Sequence, residues 1–152
     1  MKNKIPALTL AFCLAAVLTL AGEQSALWTE GISLIPYPQQ VTLGGEDFIF
    51  DAPVTIVVSG AASEADRFAA GELAAGLKSD YSIEAAVEAA GGGKVIELVR
   101  TKLPAKLGDQ GYELAVEKDR ITIRAAGEPG LFYGTVTLRQ IVQPGRDGAR
   151  VR

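Results

Sequence analysis

Few residues in this chain have the types needed for chemistry. There is no histidine, and the single cysteine, Cys13, sits inside an apolar run near the start. Zinc, copper or iron sites built on nitrogen or sulfur ligands are therefore excluded, and so are Ser-His-Asp and Cys-His catalysis. Carboxylate chemistry, a lysine nucleophile, or no chemistry at all remains. Glu46-Asp47 is an adjacent acidic pair that falls in a turn, where a solvated pair is expected. Gly91, Gly92 and Gly93 suggest a phosphate cradle, but neither G-x-G-x-x-G opening a helix nor a Gly-Lys-Ser/Thr ending is present. Trp28, Tyr37, Tyr81, Tyr112 and Tyr133 offer ring faces of the kind that stack on sugars. Tyr112 and Tyr133 fall in apolar patterns and are expected in the core with wet hydroxyls, and Trp28 lies in a terminal segment. Arg124 and Arg139 are expected to be solvated or paired with Glu113 and Glu128. No residue is assigned a catalytic, cofactor-binding or metal-binding role, and no cofactor is expected.

The amino-terminal end sets the compartment. Lys2 and Lys4 precede an apolar run to Ala21 broken by Pro6 and two threonines, and no acidic residue comes before Glu23. That is the pattern of a secretory signal peptide over residues 1–21, with cleavage after Ala21 or else Ala26. A membrane anchor would need about 20 apolar residues and flanking charge on the far side, so no stable membrane insertion is expected. Cys13 follows Phe12 in mid-run, the wrong place for a lipid-bearing cysteine. Removal of the segment directs the chain to the periplasm or the exterior without a cysteine, so its stability rests on a packed core rather than a disulfide. About 130 residues are left, enough for one domain that buries roughly two-thirds of its unfolded surface. With Lys2 and Lys4 gone, 13 basic and 18 acidic residues leave a net charge of −5. Scattered cations on an acidic chain lack the basic stripe that nucleic acid requires, and nucleic acid is excluded as a partner.

The mature chain alternates between strand and helix patterns. Residues 22–33 form a flexible lead-in, and "ISLIPYPQQVTL" (32–43) carries Pro36 and Pro38, which forbid a central strand. "DFIFDAPVTIVVS" alternates and then turns β-branched, predicting one or two strands. Ser63 is a good helix cap with Asp66 placed to return the bond, and the spacing of Ala65, Phe68, Ala69, Leu73 and Leu77 predicts a helix over 64–78 with those residues on its apolar face. Gly71 and Gly76 each cost such a helix about 1 kcal/mol, tolerated where it presses on a sheet. Residues 83–90 lean toward strand over helix, the glycine triplet connects, and 94–100 alternate as a strand. "GYELAVEKDRITIRA" holds two alternating runs around Glu117-Lys118-Asp119, which predicts a β-hairpin. In "GLFYGTVTLRQIV" the β-branched residues favour strand, yet Leu131, Gly134, Thr135, Leu138, Ile141 and Val142 make a helical stripe after Glu128-Pro129. A buried helix of about three turns is predicted, ended by Pro144-Gly145, with Gly134 letting its backbone sit close to the hairpin. The fold class is α/β (α+β): a small mixed β-sheet with two main helices packed on one face, preceded by a signal peptide.

These segments carry a resemblance. "GYELAVEKDRITIRAAGEPGLFYGTVTLRQIV" resembles the hairpin and helix that end the small N-terminal domain of β-N-acetylhexosaminidases of glycoside hydrolase family 20, and "LIPYPQQV" resembles its opening Leu-Ile-Pro-x-Pro segment. The likeness spans most of 34–142, strongest over 111–142 and loose between 55 and 107. Glycosidases of the O-GlcNAcase kind and some α-glucuronidases carry a similar domain, and the opening segment favours the hexosaminidases. The resemblance implies an α/β domain at 34–143, followed at 144–152 by a linker toward a catalytic (β/α)8 barrel, its intramolecular partner. It also implies substrate-assisted hydrolysis, with the substrate's acetamido oxygen as nucleophile and an Asp-Glu pair in the barrel. A barrel needs about 250 residues, so none of the family's functional residues maps onto this chain. Two functions follow: a fragment of a secreted hexosaminidase that meets glycans through its parent, or a free-standing secreted module that binds carbohydrate or protein without catalysis.

Overall fold

The computed structural model describes residues 26–152 apart from positions 61 and 147; the expected signal peptide lies outside the described residues. The elements run α1 (Ala26–Thr29), β1 (Phe48–Ile49), β2 (Val54–Ser59), α2 (Glu64–Tyr81), β3 (Ala85–Glu88), β4 (Lys94–Arg100), a 3-10 turn (Ala105–Leu107), β5 (Tyr112–Val116), β6 (Arg120–Ala125), α3 (Glu128–Ile141) and β7 (Arg150–Val151). The main sheet has the order β3-β2-β4-β6-β5. Its first four strands are mutually parallel, and β5 closes the edge as the antiparallel arm of the predicted hairpin, with Leu114 opposite Ile123. This is the expected mixed sheet.

Alternation decides which face meets the helices. Ile56, Ile96, Leu98, Ile121, Ile123 and Ala125 are fully buried and stand in register across β2, β4 and β6, beneath α2 and α3. The opposite face carries Thr55, Val57, Ser59, Val95, Glu97, Val99, Arg120, Thr122 and Arg124; Val95 and Thr122 are buried there, while Arg120 and Arg124 are exposed. Parallel strands are usually covered on both faces; here one layer of helices covers one.

Helix α2 starts as the sequence predicts. The Ser63 backbone N–H donates to Asp66 Oδ2 at 3.0 Å and the Asp66 N–H to Ser63 Oγ at 3.2 Å, a reciprocal cap. Its buried side is Asp66, Ala69, Ala70, Leu73, Gly76 and Leu77. Phe68 and Ala65, expected on that side, point outward, and Phe68 is 62% exposed. The reason is angular: at 100° per residue Phe68 lies about 140° around the helix from Leu73. Gly71 likewise faces open space, not the sheet, whereas a Cβ on Gly76 would collide with the Arg139 guanidinium of α3.

Helix α3 buries Gly130, Leu131, Gly134, Thr135, Leu138 and Ile141, the predicted stripe, over 14 residues. Its N-cap, Gly127, has no side chain to offer, so the Gly130 N–H donates to the Asp109 carbonyl of the β4–β5 loop at 3.1 Å. A Cβ on Gly134 would run into Ile123 Cγ2, so glycine sets how closely α3 seats on the hairpin.

Both ends of the described chain join the core. Leu27, Ile32 and Leu34 are buried, although a flexible lead-in was expected through residue 33. Residues 144–152, expected as a linker, carry β7, which pairs antiparallel with β1, and Val151 is fully buried.

Candidate functional site

The surviving chemistries have definite fates in the fold. Lys94 is the candidate lysine nucleophile with the least water on it. Its ammonium sits 2.9 Å from Asp119 and 3.9 Å from Asp51, donates to the Lys118 carbonyl at 2.7 Å, and lies 5.1 Å from the Phe48 ring centroid. Those partners hold the charged form in place and tie the start of β4 to the hairpin turn; an amine engaged in this way is a structural lock.

The carboxylates are spent similarly. Asp66, 1% exposed, accepts from Arg100 Nη1 at 3.1 Å in addition to its capping bond, and the same guanidinium reaches Glu128 at 3.7 Å. One arginine on β4 thus fastens the first turns of both long helices to the sheet. Glu97 accepts from Ser59 Oγ at 2.6 Å and from Arg120 Nη1 at 2.8 Å on the open sheet face. Asp47, expected to be solvated beside Glu46, instead accepts from Arg150 Nη1 at 3.1 Å and Arg152 Nε at 3.2 Å, pinning β7; Arg152 also bonds Glu30. Asp47 first, then Glu30, raises the pKa of Arg152 above its ordinary value. No group of acidic residues placed to hold a metal occurs among the described residues.

The arginines expected near Glu113 and Glu128 divide. Arg124 stands opposite Glu113 in the hairpin register. Arg139 does not reach Glu128; its Nη2 bonds Asp80 Oδ2 at 2.5 Å, and it threads between α3 and Gly76 of α2. Hydrogen bonding from Ser79, then from Arg139, draws the Asp80 carboxyl below its ordinary value near 3.8.

The aromatic candidates do not converge. Trp28 in the lead-in and Tyr37 in the proline-bearing segment after it are 63% and 50% exposed. Tyr81 donates to the Arg139 carbonyl at 2.6 Å, joining the two helices. Tyr112 packs against the core as expected, but its hydroxyl bonds Thr137 Oγ1 at 2.5 Å rather than water. Tyr133, expected in the core, is 45% exposed. It edges onto Phe132, which stacks on Phe68 with centroids 6.4 Å apart and planes 16° from parallel. Ala65, Phe68, Glu128, Pro129, Phe132 and Tyr133 line a shallow depression there. The sequence analysis missed this cluster, although helical angles alone place Phe68 and Tyr133 on the outer side of their helices.

The model of glycosyl hydrolase family 20, domain 2, matches residues 31–152. A β-hexosaminidase of Porphyromonas gingivalis is 34% identical over 145 residues, which is 89% of this chain and 18% of that protein. The β-N-acetylhexosaminidase of Streptomyces coelicolor A3(2) superposes with a TM-score of 0.60 at 28% identity, over 75% of this chain and 24% of its own. The Flavobacterium johnsoniae chitobiase superposes with a TM-score of 0.63 at 21% identity, over 81% and 20%. The chain thus spans about a fifth of the length of the relatives it matches.

Proposed function

The chain belongs to glycosyl hydrolase family 20, as its domain 2, and from that premise we propose that it is the non-catalytic N-terminal domain of a secreted β-N-acetylhexosaminidase, supporting a (β/α)8 barrel that hydrolyses terminal N-acetylhexosamine residues of glycans. One observation carries the non-catalytic role. The domain's buried carboxylate, Asp66, and its least exposed lysine, Lys94, are both committed to structural ion pairs, so neither is free to act as acid, base or nucleophile. The relatives' lengths support a barrel in the same polypeptide. Secretion rests on the signal pattern of residues 1–21.

Turnover of an aryl β-N-acetylglucosaminide tests this. The 152-residue chain should show none, and the complete product of its gene should show it and lose it when a barrel Asp-Glu pair is changed to Asn-Gln. Turnover by the chain alone would overturn the non-catalytic role, and a gene product without a barrel would overturn the accessory role. Amino-terminal sequencing of exported protein should begin at Gly22 or, for the later cleavage, at Leu27; Met1 retained in the cytosol would contradict secretion.

A further inference from the structure

Three segments far apart in sequence meet at one place. After α3 the chain turns back on itself, and Gln143 and Arg150 exchange backbone hydrogen bonds at 2.8 Å in each direction, which lays β7 along β1. Successive side chains of a strand point to opposite sides. Val151 therefore enters the core, fully buried like its partner Phe48, and Arg150 and Arg152 share the other side. There Asp47 gives one carboxylate oxygen to each: Arg150 Nη1 donates to Oδ2 at 3.1 Å and Arg152 Nε to Oδ1 at 3.2 Å. Arg152 extends onward to the Glu30 carboxylate, and Gln143 Nε2 donates to the Glu30 carbonyl at 3.2 Å. Glu30 lies in the lead-in turn that the Ile32 N–H closes onto the Leu27 carbonyl at 2.9 Å.

We propose that the lead-in (27–34) and the return (143–152) form one strap, closed by an ionic clasp of Glu30, Asp47, Arg150 and Arg152, which opens as a unit in salt while the five-stranded sheet stays folded. The inference stands apart from the glycosidase reading and needs no barrel. β1 and β7 make a two-stranded sheet of their own, and two strands alone are marginal in water. Among the described residues no backbone hydrogen bond joins that pair to the five-stranded sheet. The clasp is also within reach of salt, because its four side chains are 20% to 43% exposed, and raising salt from about 0.1 M to about 1 M shortens the screening length from about 10 Å to about 3 Å. The main sheet depends instead on fully buried Ile56, Ile96, Leu98, Ile121 and Ile123, which salt does not weaken. Opening of the strap therefore lies below global unfolding in free energy. Asp47 and Arg152 are the joint, since the loss of either disconnects the lead-in carboxylate from β1. Closed, the strap fixes the lead-in and the direction in which the chain passes Arg152; open, it frees both together.

Amide hydrogen exchange of the 152-residue chain, read residue by residue by NMR in about 0.1 M and about 1 M sodium chloride, tests the strap. Ile32 reports on the lead-in, Gln143 and Arg150 on the return, and Ile96 and Ile123 on the main sheet. In high salt, exchange should quicken about tenfold at Ile32, Gln143 and Arg150 alike, because all three await the same opening, and stay unchanged at Ile96 and Ile123. Asp47→Asn removes the charge and keeps the side chain's size, so it should give the same acceleration in low salt and abolish the further effect of high salt. Acceleration at Gln143 and Arg150 with Ile32 unmoved would mean two ends that open separately, and would overturn the strap. Equal acceleration at all five amides would make the event global unfolding and overturn it too. Native rates that ignore salt would show that the ion pairs do not hold the closure. Should Asp47→Asn fail to fold, the native chain in the two salts decides by itself.

Discussion

Gly134→Ala separates close packing from helix propensity, because the two predict opposite signs. Alanine favours a helix interior by about 1 kcal/mol over glycine, so if α3 were loosely seated the change would stabilise the domain. The structure instead places Ile123 Cγ2 and the Tyr112 ring where the new Cβ would go. Ile123 is fully buried in mid-sheet and cannot swing away, so α3 must lift or the sheet must yield. Overpacking of this kind costs about 1–3 kcal/mol. Set against the propensity gain, the net expectation is a loss of about 1 kcal/mol, or roughly 4 °C in Tm for a domain of this size. Ile123→Ala removes the obstructing methyl and costs about 2–5 kcal/mol by itself. In that background Gly134→Ala should turn neutral or stabilising, so a double-mutant cycle should give a favourable coupling of about 1–2 kcal/mol. Urea unfolding followed by circular dichroism measures all four corners. A higher Tm for Gly134→Ala in the native background, or a cycle with no coupling, would refute the close seating of α3 on the hairpin.

Gly71→Ala should do the reverse in the 152-residue chain, raising stability by about 1 kcal/mol in the same assay, since nothing stands near its added methyl; a destabilised variant would show that α2 is oriented differently. Asp66→Ala leaves Arg100 with Glu128 and the Ala126 carbonyl only and opens the Ser63 cap, so a loss of about 2–4 kcal/mol is expected, and a loss under about 1 kcal/mol would contradict the clasp. Asp80 has a folded pKa below its unfolded one, so its contribution is present above the unfolded value and disappears as pH falls through the folded value. Asp80→Asn should therefore flatten the acid limb of the stability curve below about pH 4 and leave the slope near neutrality unchanged. An unaltered acid limb would show that neither Ser79 nor Arg139 holds the Asp80 carboxylate. Phe132→Ala removes a half-buried ring, so a loss of about 1–2 kcal/mol is expected, less than the roughly 3–5 kcal/mol typical of a fully buried phenylalanine; an unchanged melting curve would show that the ring packs on nothing.

Legibility in the sequence followed the range over which each structural cause acts. The hairpin, β4, the Ser63–Asp66 cap and the choice of helix for residues 128–141 were all readable, because alternation, capping chemistry and turn residues act within a few positions. The β-branched Thr135, Val136 and Thr137 argued for a strand and lost, since packing of the Leu131–Leu138 side outweighs a small propensity penalty. Long-range pairings were not readable. Nothing local to Asp47 announces that Arg150 and Arg152 come to it from about a hundred residues away, and so 144–152 resembled a linker. The lead-in is tied to that same return of the chain, since Gln143 donates to the Glu30 carbonyl and Arg152 bonds the Glu30 side chain. Tyr133 was misplaced for another reason: aromatic residues in an apolar run are usually inward, and only its angle from Leu138 shows that this one is not.

The two layers of the domain divide polarity less cleanly than those of an isolated α/β module. In such a module the helices present charge to water, and a parallel sheet hides both faces. Here the second face of the sheet mixes Val57, Val95 and Val99 with threonines and the Ser59–Glu97–Arg120 chain, and the helical layer sets exposed Phe68 and Tyr133 among the exposed charges of Glu64, Arg67, Glu72 and Lys78. Neither the exposed rings of Phe68 and Tyr133 nor Gly71 serves the domain's own core, which Ile56, Leu98, Ile123, Leu131 and Leu138 already complete. Each feature costs something in a free domain: exposed rings invite aggregation, and Gly71 weakens α2. Changing Phe68 and Tyr133 to Ser should therefore leave the fold of the short chain intact and improve its solubility, because both rings are largely exposed. Thermal melting and light scattering of the short chain would read the two effects, and a variant that unfolds several degrees lower, or aggregates as readily as the native chain, would show that these rings are held in the fold rather than carried on its surface.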